Sequence, residues 1–194
     1  MTPNDDPGWP HGPSMFVFLI PGAGPWYLRS RGTGDGLLAL RRVFISFPVT
    51  LVLIGIALAP MRLQGGSLVP WLPILIALAI VSLIGERVIE KPLDCATDAT
   101  LAGTYRTRFF LRIAFAEAVA LYGFCFAFIG APKWIYYAAA GVTLVRLWTG
   151  VAPTRSALAR DQDMLNRSGC GRTLVAALRT AAPPPSRRDQ RSSE

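Results

Sequence analysis

The chain has 194 residues, of which 52% are apolar and 16% charged, with a mean hydropathy of +0.37 and a formal net charge of +8 at pH 7. That length suits one domain, and the composition is too apolar for an ordinary soluble one. All but two of the 20 basic residues are arginine. They flank apolar segments and do not gather on a polar face, so the expected partner is a lipid bilayer with anionic head groups and not nucleic acid.

Residues 1–14, MTPNDDPGWPHGPS, are polar, Pro-rich and acidic, without the basic start of a conventional signal peptide. The apolar MFVFLI that follows stops at PGAGP, too soon to span a bilayer. Residues 1–35 therefore read as a loose N-terminal segment, with Met15 as a second candidate start. GTGDG at 32–36 lacks the lysine of a phosphate loop and reads as a flexible turn. LLALRR then begins a helix among the head groups that leads into the first span.

Four segments are long enough to cross the hydrocarbon core as helices: about 43–61, 68–88, 107–130 and 133–151. None shows the alternation of a barrel strand. Pro48, Pro70 and Pro73 fall near the expected helix starts, where a missing N–H costs little. The expected fold is an all-α integral membrane four-helix bundle of two antiparallel hairpins over residues 36–152, with short interfacial helices.

Basic residues set the orientation. Arg29, Arg31, Arg41 and Arg42 precede the first span; Arg87, Lys91, Arg106 and Arg108 lie between the second and third; a series from Arg155 to Arg191 follows the fourth. The opposite side has Arg62 and Lys133. Both termini are thus expected in the cytoplasm of a bacterial cell, and the protein in its cytoplasmic (inner) membrane. Trp71, Trp134, Tyr136 and Tyr137 suit an outer aromatic belt, and Trp148 an inner one.

Beyond the last span, residues 153–180 read as cytoplasmic or interfacial helices. Thr154 caps SALARDQDMLNR, Gly169-Cys170-Gly171 breaks it, and RTLVAALRT gathers Leu174, Val175 and Leu178 on one side as if lying on the inner leaflet. Residues 181–194 have the composition of a disordered tail.

The third span has a carboxylate, Glu117, near its middle, where a charge costs at least about 2.5 kcal/mol. Counted from a turn at Ala131 and Pro132, Glu117 and Arg146 are each about 14 residues deep, level with one another on consecutive helices. The expectation is an intramembrane ion pair, Glu117–Arg146, with Thr143 adding a hydrogen bond in a seam of small residues (Ala116, Ala120, Gly123, Ala127, Ala139). A secondary pair is expected between Glu86 and Arg112, near the inner ends of the second and third spans.

FFLRIAFAEAVALYG, within residues 109–130, resembles the second helix of the c subunit, or proteolipid, of rotary ATP synthases. The resemblance implies that Glu117 carries a transported proton or sodium ion. The chain departs from that family in having four expected spans, no GxGxG-type first helix and an arginine, Arg112, on the apolar run. Outside this stretch it resembles small bacterial four-span inner-membrane proteins.

No other chemistry stands out. His11 is alone, and Cys95, Cys125 and Cys170 are widely separated without metal spacing, Cys125 at mid-membrane depth and the other two on the side expected to be reducing, so neither a metal, a cofactor nor a disulfide is expected. Asp94 and Asp98 read as a solvated helix face. The expected function is that of a non-catalytic inner-membrane protein, an accessory or assembly subunit of a membrane complex or a homo-oligomer. The alternative is an ion-coupled translocator or proteolipid-like protein using Glu117.

Overall fold

The computed structural model of the chain describes residues 6, 8, 9, 35–62, 66, 67, 69–89 and 92–179. The expectations for MFVFLI, His11 and the 181–194 tail lie outside these residues. The architecture is all-α.

Helix α1 spans Gly36–Leu58, and Asp35 caps it by accepting from the amides of Leu37 (3.1 Å) and Leu38 (3.2 Å) at Oδ1. LLALRR and the first span are therefore one continuous rod. Pro48 accordingly lies inside the helix and not near its start; apolar membrane helices tolerate the lost hydrogen bond where neighbours re-satisfy the backbone. Helix α2 spans Trp71–Ile89, with Pro73 in its first turn. Helix α3 spans Asp98–Phe128, starting well before the expected Thr107 because Thr97 and Thr100 form a reciprocal cap. Helix α4 covers Trp134–Arg146 and continues as a π-type turn, Leu147–Val151. Helix α5, Arg155–Arg167, is capped by Thr154 as the sequence predicts. It ends at Gly169, whose φ of +80° favours glycine, and α6 follows at Leu174–Arg179.

Three helices, α1, α2 and α3, are long and apolar enough to cross a membrane; α4 with its π turn passes the same test only jointly with α5, from which it bends by 50°. The centre is the antiparallel hairpin of α3 and α4. A Cβ on Gly123 would stand 2.6 Å from Cβ of Ala139, and the buried Thr143 Oγ1 donates to Ala116 O (3.0 Å), so the two backbones approach closely along a small-residue seam.

The outer helices do not form the second hairpin expected from their order. Instead, α1 lies against α4 and α2 against α3, on separate flanks of the central pair. Tyr136 and Tyr137 explain the first attachment. Their hydroxyls donate to Leu51 O (2.6 Å) and Gly55 O (2.9 Å) of α1, so these tyrosines staple two helices and do not reach for head groups; Tyr136 is buried. Lys133 Nζ caps the end of the same helix at Ala59 O (2.9 Å). On the other flank, Trp71 meets Phe126 at 5.3 Å between ring centroids, and Ser82 donates to Phe115 O.

The arginine-rich end is tied together more firmly than the sequence suggests. Leu174 and Leu178 of α6 are fully buried against α1 and α3 and do not lie on a leaflet. The approach is so close that a side chain on Gly36 would meet Leu178 O. Asp6, from the segment expected to be loose, pairs with the buried Arg41, which also donates to Pro153 O (3.0 Å), and Trp9 closes a three-ring cluster with Phe44 and Trp148, themselves edge to face at 5.6 Å. Cys95 and Cys170 are joined by a disulfide, contrary to expectation, because the turn after α5 folds back onto the loop before α3. Arg172 holds the same junction through Cys95 O (3.1 Å), Ala96 O (3.0 Å) and Asp98 Oδ1 (2.7 Å). Asp94 is not on a helix face; it accepts from the amide of Ala96 in a turn.

Candidate functional site: charges within the apolar helices

The expected Glu117–Arg146 pair does not form. Arg146 turns to α2, where its guanidinium binds Glu86 Oε2 and donates to Ser82 Oγ (3.2 Å). Arg112 brings a second guanidinium to the same carboxylate, with Nε 3.7 Å from Glu86 Oε1. The secondary pair named from the sequence is therefore brought together, and Arg146 joins it. All three charged side chains are about one-fifth exposed.

Depth along the hairpin was legible, but direction around it was not. Thr143 is level with Ala116, and Ala139 with Gly123, so Arg146 and Glu117 lie within about one turn of each other along the axis. Each residue of a helix, however, rotates by about 100° from the last. On α3, Phe115, Val119 and Phe126 face the α2 flank, as Phe126 and Ser82's acceptor, Phe115 O, show. Glu117 shares its side with Phe124, seven residues on, whose ring meets Tyr136 on the α1 flank at 6.1 Å. Arg146 projects toward α2. The two charges thus point to opposite flanks of the hairpin.

Glu117 is half-buried and has no ion pair or side-chain hydrogen bond among the described residues. Two intramembrane carboxylates therefore have opposite surroundings. Glu86 lies between two guanidiniums and near a hydroxyl, whereas Glu117 sits among apolar side chains. Ser82, one turn before Glu86, was missed by sequence reasoning; the spacing S-x-x-x-E on an otherwise apolar helix is the signal that marks them as one polar face. Thr143, named as a support, bonds the α3 backbone and not either charge.

No group of three or more potential metal-binding side chains occurs among the described residues. Cys125 is free and exposed on α3. The chain is a helical protein with membrane-spanning segments. Comparison with protein-family models, with curated proteins and with solved structures finds no match, so its residues and their geometry alone carry the functional reading.

Proposed function

We propose that the protein is an ion-coupled translocator of a bacterial cytoplasmic membrane, with Glu117 as the group that takes up a proton or sodium ion. Glu86, fixed by Arg146 and Arg112, is the permanently paired carboxylate that stays out of the exchange. The observation that carries this reading is the contrast between the two carboxylates. In hydrocarbon a carboxylate needs compensation; Glu86 has it from guanidiniums, and at Glu117 a mobile cation supplies it. The likeness of residues 109–123 to a proteolipid helix supports the same assignment. Four spans, with α4 as the last, and the arginine-rich side toward the cytoplasm complete the proposal.

A hydrophobic carbodiimide tests it on the protein reconstituted in vesicles. Glu117 should be modified and Glu86 spared, with modification slowed at high pH or by sodium. An unmodified Glu117, or equal modification of both, refutes the assignment. A second reading, a non-catalytic accessory or assembly subunit, draws on the Glu86–Arg146 contact acting as a clamp between α2 and α4. Under it, Glu117→Gln leaves vesicle ion flux unchanged, and no carboxylate is modified selectively.

A further inference from the structure

The π turn and the 50° bend after it leave a bay of about 430 Å³ at the arginine-rich end, between α3, the end of α4 and α5. Arg112, Arg160 and Arg167 line it together with Thr149, Met164 and the carboxylates of Asp161 and Asp163. Ala157, Arg160, Met164 and Arg167 recur at helical spacing, so one face of α5 is turned into the bay. Arg160 and Arg167 have no ion pair among the described residues, whereas Asp161 is buried and has its own interactions within the fold. Counted together with Glu86 and Arg146, which share Arg112, four guanidiniums stand against three carboxylates, one positive charge in excess.

We propose that this bay binds the phosphate of an anionic phospholipid. Guanidinium groups match phosphate oxygens with paired hydrogen bonds. A free phosphate ion offers the same oxygens, but the bay opens onto a surface suited to acyl chains. Val142 and Val145 of α4 and Thr149 of its π turn recur at helical spacing; the two valines are 50% and 63% exposed, and Thr149 lines the bay. Trp148, 54% exposed beside them, suits head-group depth. A phosphate in the bay with its chains along Val145 and Val142 satisfies both surfaces at once. The inference does not rest on ion coupling, and its test leaves Glu86 and Glu117 untouched.

The experiment measures phosphatidylglycerol retained by the full chain taken from mixed phosphatidylcholine–phosphatidylglycerol micelles, by native mass spectrometry. Arg160→Gln with Arg167→Gln should weaken retention about thirtyfold, at about fivefold for each guanidinium that no longer bonds the phosphate. Arg62→Gln with Arg87→Gln, which removes as much charge from exposed arginines that do not line the bay, should leave it nearly unchanged, because neither bonds the phosphate. Both α5 arginines are exposed, so folding should survive; if the double variant fails to fold, Arg167→Gln alone should show the fivefold loss. Equal losses in both double variants, or none in the α5 variants, overturn the site. Displacement of the lipid by millimolar inorganic phosphate overturns the choice of lipid.

Discussion

Glu86 is one anion shared by two guanidiniums, so the two ends of its pair with Arg146 are not equivalent under substitution. Glu86→Gln leaves Arg146 and Arg112 with no anion between them, in side chains only about one-fifth exposed and set in apolar helices. Removing one member of a buried pair costs about 3–5 kcal/mol, and the partial exposure places this case near the lower end, about 3 kcal/mol. Arg146→Gln is milder. Arg112 already stands 3.7 Å from Glu86 and needs to move only about 1 Å to form a charge-assisted hydrogen bond, which limits the loss to about 1–2 kcal/mol. The double variant leaves Arg112 able to turn its charge toward the interface, so the two losses should fall short of additivity by about 1–3 kcal/mol. Reversible unfolding in bicelles measures all three. An Arg146→Gln loss equal to or larger than that of Glu86→Gln refutes the reasoning. So does a coupling of Arg146 with Glu117 in place of Glu86.

Three further outcomes follow from the rest of the fold. The hydrogen bond from Arg41 holds the Asp6 carboxyl below its usual range, against the opposing effect of burial. With the folded value depressed, its contribution is present above the unfolded value of 3.8 and disappears as pH falls through the folded one. Tryptophan fluorescence of the Trp9 contact should accordingly respond to acid below about pH 4, and Asp6→Asn should remove that response; an unchanged acid response in the variant rejects the link. Gly123→Ala places a methyl 2.6 Å from Ala139 and 3.2 Å from Ile135 O, so it should destabilise the hairpin by about 1–3 kcal/mol in the same bicelle assay, and a neutral result would mean that the seam yields. The Cys95–Cys170 disulfide lies at the arginine-rich end, which the proposed orientation turns toward the cytoplasm. In Cys125→Ala cells treated with a membrane-permeant reductant, a membrane-impermeant maleimide should label the pair only after permeabilisation; labelling of intact cells would invert the topology.

Local chemistry was legible in the sequence. Apolar runs of helical length gave the spanning segments, Thr154 and Gly169 bounded α5, and small residues at helical spacing marked the α3–α4 seam, because each of these signals acts within a few turns of one helix. Earlier caps lengthened α1 and α3 beyond the apolar runs, since Asp35 and Thr97 satisfy backbone amides where hydropathy is silent. The disulfide and the burial of α6 were not legible, because they depend on how segments far apart in the chain meet at one end of the bundle.

The charged site divides in the same way. Sequence alone placed Glu117 and Arg146 at nearly equal depth, since rise per residue is fixed by helix geometry. It could not assign Arg146 to Glu86, because that depends on which flank of α4 is occupied by α2. A hydropathy run determines that a helix is solvated by lipid, whereas the rotation of each helix about its axis is settled only when its neighbours pack, and rotation decides which charges meet.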